Sequence, residues 1–224
     1  MVMKILKKVL KIVVVIFLMV AIFLALFVVI GVQTYLPHKK ITIRVPYELS
    51  DMPDSMIPMG ETINHPKPKV PNGHPGIDLQ YNDSKLHNVI ASADGTVTSI
   101  KKGASNPGKW DVEISNGFYL LRYKEMEDYN PAFHPGYKVK EGDFVGHYGI
   151  YQEKDGIVHE QIHWELASTS LLRDRFCPLT YFDAQSLESI NELWAKILPE
   201  DNQNMKAQFP YICSGDYYGK EEKF

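Results

Sequence analysis

His159-Glu160-Gln161-Ile162-His163-Trp164-Glu165-Leu166 can be read on two periods, and the choice decides the fold. On a helical period its first five residues match His-Glu-x-x-His, where two histidines one turn apart bind zinc and the glutamate beside them acts as base. The surroundings oppose that reading. Gly149 and Gly156 lie upstream, there is no cap and no sustained helical period, and Gly156-Ile157-Val158 and Ile162 to Leu166 alternate as a strand does. On a strand, residues two apart share a face. His159, Gln161, His163 and Glu165 then point one way, and Ile162, Trp164 and Leu166 point the other way into a core. A polar face opposite an apolar one suits the floor of a site.

On a strand, His163 needs partners from elsewhere to hold a metal. His74-Pro75-Gly76-Ile77-Asp78 supplies a histidine and a carboxylate. His74, Asp78 and His163 together give three N/O ligands and leave a position open, the layout of a catalytic zinc site. His134-Pro135-Gly136 echoes the first of these stretches, but Lys138 stands where the acid would be. His65, His87, His134 and His147 sit beside Pro, Asn or Gly and read as surface residues.

Working outward from the two stretches, short β-prone runs follow one another with turn residues between them. Val89 to Ala93 meets Thr96 to Ile100 across Asp94-Gly95, a hairpin signal because Gly tolerates positive φ. Asp111 to Ile114 turns at Ser115-Asn116-Gly117 into Phe118 to Tyr123, and Lys138 to Gly146 reads as strand, turn, strand. Strands at roughly ten-residue spacing predict an all-β sandwich or barrel. Aromatics at 12% of the 224 residues, with 15 Gly and 14 Pro, agree with a turn-rich β-domain. Leu187, Ile190, Leu193, Trp194 and Ile197 recur at helical spacing between Ser186 and Leu198, ahead of Pro199, and predict one C-terminal helix packed on the sheet.

The amino-terminal end is of another kind. Ile12 to Val32 carries no charge and is rich in Val, Ile, Leu and Phe. About 20 such residues span the ~30 Å hydrocarbon core as a helix. Lys4, Lys7, Lys8 and Lys11 precede it and Lys39 and Lys40 follow it, which sets the amino terminus in the cytoplasm and the rest of the chain outside. A cleaved signal peptide would have a shorter apolar region of ~7–15 residues, and Gly31-Val32-Gln33-Thr34-Tyr35 makes a poor cleavage site, so the segment reads as a retained anchor. Residues 37–72 read as an extended connecting arm, either a linker or a segment packed along the domain. Ile41 to Val45 is strand-like within it, Pro53, Pro58, Pro66, Pro68 and Pro71 argue against helix, and Asn64 and His65 stand where a pro-segment would meet the motif. Cys177 and Cys213 either pair, in an oxidising compartment, or stay as buried thiols. A net charge of -3 leaves no basic field for nucleic acid.

Taken in order, these stretches resemble the lysostaphin/LytM-type (M23) zinc metallopeptidases. His74-Pro75-Gly76-Ile77-Asp78-Leu79 is similar to that family's His-x-Gly-x-Asp motif, and Ala93-Asp94-Gly95-Thr96-Val97 to the hairpin that follows it. Lys138 to Gly146 is similar to its Gly-turn segment, and Ile162-His163-Trp164-Glu165-Leu166 to its last histidine-bearing strand. The resemblance covers about residues 73–167. It implies a compact antiparallel β-domain with a groove, a Zn²⁺ held by His74, Asp78 and His163, and cleavage of peptide bonds in peptidoglycan. The expected organisation is 1–36 anchor, 37–72 arm, 73–170 peptidase-like domain and 171–224 C-terminal helix and tail.

Two positions depart from the family pattern. Gln161 stands where the last strand has its first histidine, and Glu125, in Tyr123-Lys124-Glu125-Met126, stands where a Tyr-x-His-Leu pattern has its second. Gln161 cannot accept a proton but can donate a hydrogen bond to an oxyanion. Glu125 is a candidate base, and His159 a candidate base or proton shuttle on the face of Gln161. The functions that remain are a membrane-anchored zinc peptidase with altered catalytic residues, and a non-catalytic module of the same fold that binds cell wall or a cell-wall enzyme. A lipoyl-type carrier shares Asp94-Gly95-Thr96-Val97, but no Asp-Lys or Met-Lys pair stands at a hairpin tip.

Overall fold

The computed structural model describes residues 2–35, 39–63, 73–83, 85–104, 106–152, 156, 158–170, 174–197 and 208–214. Two units separate by their contacts, Met1–His38 and Lys39–Phe224. In the first, α1 (Val2–Tyr35) contains the apolar span Leu10–Val28, with a mean hydropathy of 3.1, long and apolar enough to cross a membrane. Its described apolar side chains are exposed, as those of a lipid-facing helix would be.

The second unit runs β1 (Ser55–Ile57), β2 (Ile77–Tyr81), β3 (Asn88–Ile90), β4 (Gly95–Lys102), β5 (Trp110–Asn116), β6 (Tyr119–Met126), β7 (Lys138–Val139), β8 (Phe144–His147), β9 (Gly149–Gln152), β10 (Val158–Ser168), β11 (Arg175–Phe176) and α2 (Ala184–Lys196). Among the described residues these strands form a nine-stranded sheet and a two-stranded one. The large sheet has the order β1-β2-β10-β6-β5-β4-β7, with β9 and β11 also on β10, and it does not close into a barrel. All pairings between the named strands are antiparallel, as the sequence predicts.

His159 to Leu166 lies in β10, so the helical reading of His-Glu-x-x-His fails. Ile162, Trp164 and Leu166 are buried in the core, and Trp164 stacks on Phe182. α2 begins at an N-cap, where the Asp183 side chain accepts from Ser186 N at 2.7 Å, and buries Ile190, Leu193 and Trp194. Cys177 and Cys213 are paired.

Several expectations need correction. Asp94-Gly95 does not close a hairpin between β3 and β4. β3 pairs with β8, and β4 pairs with β5 and β7, so each half of the expected hairpin belongs to a different sheet. The Asp94 carboxylate instead accepts from Glu141 N and Lys140 Nζ, both at 2.9 Å, and closes the neighbouring turn. Lys138 to Gly146 is likewise strand, turn, strand, but β7 and β8 pair with β4 and β3 and not with each other. Ile41 to Val45 forms no strand. It makes one bridge, Ile43 to Phe182, yet Ile43, Val45 and Tyr47 are fully buried because the second unit packs α2 over them. Residues 39–61 therefore belong to the body of the unit, and β1 adds to the edge of the large sheet. His65 and the rest of residues 64–72 lie outside the described residues, as does the tail from 198 to 207 and from 215 onward. His87 is buried and not a surface residue, with one ring nitrogen 2.8 Å from Asp51 and the other 2.7 Å from Asp83.

Candidate metal centre

Antiparallel pairing of β2 with β10 sets Asp78 directly opposite His163. In an antiparallel pair such residues have neighbouring side chains on one face, so two groups far apart in sequence meet by register alone. His74 enters from the segment before β2. Its backbone is clamped by Gly60 N donating to His74 O and His74 N donating to Glu61 O, both at 2.8 Å. Gly76 is required by the close approach that follows. A Cβ there would stand 2.4 Å from Trp164 O and 2.8 Å from Glu165 Cγ, so only glycine lets the His74 segment lie against β10.

The three groups converge. Asp78 Oδ1 lies 2.7 Å from His163 Nδ1 and 3.0 Å from His74 Nε2, and these two nitrogens are 2.9 Å apart. All three residues are buried, and their ligand-type atoms fall within 4.8 Å of one another. Each imidazole is held from behind by its other nitrogen. His74 Nδ1 faces Pro58 O at 3.2 Å and His163 Nε2 faces Glu165 Oε1 at 2.9 Å. An N–H donated to those acceptors leaves His74 Nε2 and His163 Nδ1 with lone pairs aimed at the centre, which is how ligating histidines are oriented in zinc proteins. Two imidazole nitrogens and a carboxylate oxygen, with a carboxylate and a carbonyl behind them, fit Zn²⁺.

Electrostatics inside the cluster run the same way. Burial pushes the Asp78 carboxyl up, but His74 and His163 outweigh it and hold it well below the usual carboxylate range. Burial pulls His163 down, but Asp78 and then Glu165 raise it to about 9. Without metal, His163 therefore carries a proton at neutral pH that a metal must displace. Zinc binding is expected to release about one proton at pH 7, and affinity to rise about tenfold per pH unit until pH passes about 9. Calorimetry in buffers of different ionisation enthalpy measures the release, and binding with none would rule this out. The same proton stabilises the metal-free fold, because the folded value lies above the ordinary 6.5. Its contribution is full below about 6.5 and is lost as pH rises through about 9.

Glu165 lies fully buried behind His163 and answers three side-chain cations. Arg122 Nη1 is 2.5 Å away, Arg175 Nε 2.9 Å and Lys124 Nζ 3.0 Å. Burial raises its carboxyl, but His163, Lys124 and Arg122 hold it far below the carboxylate range. The sequence places Glu165 on a polar face, but nothing in the alternation shows that this face is covered by cations from β6 and β11.

Glu125 reaches the site through a β-bulge. The β5–β6 register shifts between Trp110 and Val112, which leaves two residues of β6, Lys124 and Glu125, opposite Asp111 alone. Glu125 takes φ +69°, uncommon for a non-glycine residue, and its N–H donates to Asp111 Oδ1 at 3.3 Å. Neighbours on a regular strand point to opposite faces, but here both Lys124 and Glu125 face the site. The bulge falls where β10 changes partner, from Gly149 of β9 opposite Gln161 to Lys124 of β6 opposite His163. Gly149 fills the gap, and a Cβ there would meet Glu125 O at 2.0 Å.

The Glu125 carboxylate accepts from Gln161 Nε2 and from Tyr151 OH, both at 3.1 Å. Gln161 Nε2 also lies 3.3 Å from Asp78 Oδ2. Gln80 Nε2 donates to Gln161 Oε1 at 2.7 Å and so turns the Gln161 amide nitrogen toward the carboxylates. Burial, then the Glu125 charge, raises the Tyr151 hydroxyl well above its ordinary range, which keeps it a donor. His159 stacks on the Tyr151 ring, 5.5 Å between centroids, and is not in the converging group. Tyr151 and Gln80 escaped the sequence reading, which placed Glu165 on the polar face but gave it no role. Tyr151 had one available signal, its place opposite His159 in a β9–β10 hairpin.

No model of a known protein family matches the chain, and no curated protein matches it in sequence. In structure it is similar to Csd3 of Helicobacter pylori, with 20% identity, 73% of this chain and 46% of that chain covered, and a TM-score of 0.46. It is also similar to the antimicrobial peptidase lysostaphin of Staphylococcus simulans, with 15% identity, 67% and 56% covered, and a TM-score of 0.48. A chain of the SpoIIQ–SpoIIIAH pore-forming complex matches with 20% identity, 69% and 98% covered, and a TM-score of 0.46. The chain spans less than half the length of the Csd3 chain it matches.

Proposed function

We propose that this chain is a membrane-anchored zinc peptidase acting on peptidoglycan peptide, with Glu125 as its general base. The observation that carries the proposal is the bulge that turns the Glu125 carboxylate onto the face of His163, within hydrogen-bond reach of the amide that also touches Asp78. His74, Asp78 and His163 would hold the Zn²⁺. Bound there, it supplies Lewis acidity that polarises a carbonyl and acidifies water. Glu125 takes the proton of the attacking water and passes it to the leaving amine. Gln161 orients Glu125 with one amide N–H, and the other, which lies against Asp78 Oδ2, is the one that would turn to developing negative charge, the task the sequence suggested for it. Tyr151 donates to the same Glu125 oxygen and helps to fix the carboxylate. His159 packs against Tyr151 and has no proton-transfer role in this proposal.

The substrate class rests on the resemblance of residues 73–167 to the lysostaphin/LytM-type family. The topology rests on the lysines that precede the uncharged run Ile12 to Val32 and on the Cys177–Cys213 disulfide, a bond that persists in oxidising compartments outside the cytoplasm. A second reading draws on Gln161, which cannot carry a proton. In it the chain is a non-catalytic module that binds cell-wall peptide or a cell-wall enzyme.

The two readings separate on one variant. Glu125→Gln keeps the size and the hydrogen bonds but removes the base. It is expected to lower turnover of purified peptidoglycan by about 10²–10⁴-fold with zinc content unchanged. New amino termini measure turnover, and metal analysis measures zinc. A zinc-loaded parent that releases no termini, before or after chelation, leaves the binding module as the reading.

A further inference from the structure

Regular alternation along β6 sets a second residue on the face of the site, beside Glu125. Lys124 lies opposite His163 in the β6–β10 register, and its Nζ bonds the same Glu165 oxygen that His163 Nε2 bonds. Its ammonium therefore stands one carboxylate oxygen away from the back of a metal-ligand ring. The Lys124 side chain keeps 25% exposure, against 11% for Arg122 and none for Glu165. Glu165 carries a single charge, shared among Lys124, Arg175, His163 and Arg122, the last of which also pairs with Glu113. One of the three Lys124 N–H donors is used by Glu165, and an ammonium on a flexible stem can turn the others toward solvent.

From this geometry we infer that Lys124 is a carboxylate-binding subsite beside the metal centre, which grips an acidic group of a bound peptide. The inference takes its ligand class, a peptide, from the peptidase reading. Consecutive residues then divide the work, with Glu125 serving the bond and Lys124 holding an acid near it. A residue of extended peptide spans ~3.3–3.6 Å, so the gripped acid lies within one or two residues of the group at the metal. Two sources supply such an acid, the free C-terminal carboxylate of the peptide and an acidic side chain.

Titration of the full-length zinc-loaded protein in detergent tests the inference, in a Glu125→Gln background that does not consume the probe. The probes are N-acetyl-Ala-Ala-Ala as the free acid, the same peptide as its C-terminal amide, and N-acetyl-Ala-Ala-Glu amide. The free acid or the Glu peptide is expected to bind about tenfold more tightly than the Ala amide, in the range of a partly exposed charge-assisted bond. Which of the two gains identifies the source of the carboxylate. The preference should vanish in Lys124→Gln and survive in Lys124→Arg, with melting temperature and zinc content reporting that both variants are folded. Equal binding of all three probes, no binding of either acid, or a preference that persists in Lys124→Gln overturns the inference. Cleavage by the protein with Glu125 intact is scored separately. A preference without cleavage removes the peptidase reading and leaves the subsite, and cleavage without a preference does the reverse.

Discussion

Asp78→Ala is expected to purify without zinc. Asp78 Oδ1 is the atom nearest to both ring nitrogens, at 2.7 Å from His163 and 3.0 Å from His74, and its removal leaves two imidazoles facing each other with no anion between them. Loss of a group that merely orients a zinc ligand costs about 10–100-fold in affinity, and loss of a ligand should exceed that. Competition against a chromogenic chelator measures the affinity, and the peptidase activity should fall with it. An Asp78→Ala protein that retains a full equivalent of zinc would exclude the proposed centre. His74→Ala and His163→Ala are expected to behave alike.

Glu165→Ala is expected to have the largest effect on stability. The carboxylate is completely buried and is the common partner of Arg122, Lys124, Arg175 and His163. Breaking a buried charge network by removing one partner costs about 3–5 kcal/mol, because the charges left behind stay desolvated. The expected outcome is a markedly lower unfolding midpoint in urea. Glu165→Gln should lose less, since an amide oxygen in the Oε1 place still accepts from His163 and Lys124. Zinc affinity should fall by about 10–100-fold in the alanine variant, because His163 loses the acceptor that fixes its tautomer. An unchanged midpoint would show that the network contributes nothing net.

The centre was legible in sequence where it depends on short-range rules. Asp78 and His74 sit in one motif, and alternation along Ile162 to Leu166 alone puts His163 on a polar face. What no pattern announces is the route of Glu125 to the same face. Alternation after Tyr123, a core residue, would put Lys124 at the site and Glu125 in the core. The left-handed backbone that reverses this is held by Asp111 and by the space over Gly149, both distant in sequence. Asp94-Gly95 misled for a related reason. The dipeptide is a hairpin signal only if the flanking strands pair, but Ala91 and Asp94 are captured by the segment around residue 142, through Gly142 N to Ala91 O and Glu141 N to Asp94. The buried His87 shows the same limit, because nothing near it in sequence reveals that Asp51 will lie against its ring.

The small bridge at Met59 has a bearing on the order of assembly. Met59 N donates to Ile212 O and Ser214 N to Met59 O, and Met59 stands between Pro58, which backs His74, and Gly60, which clamps it. The first of the proposed metal ligands therefore leans on residues near 213, which the disulfide fastens to Cys177. A polypeptide that emerges from a membrane in order from a retained amino-terminal anchor would present His74, Asp78 and His163 before the prop behind His74 arrives. Long-range contacts of this kind form late in folding. In the proposed topology, metal loading would then wait for completed translocation and oxidation, and a nascent chain still in transit would have no finished centre.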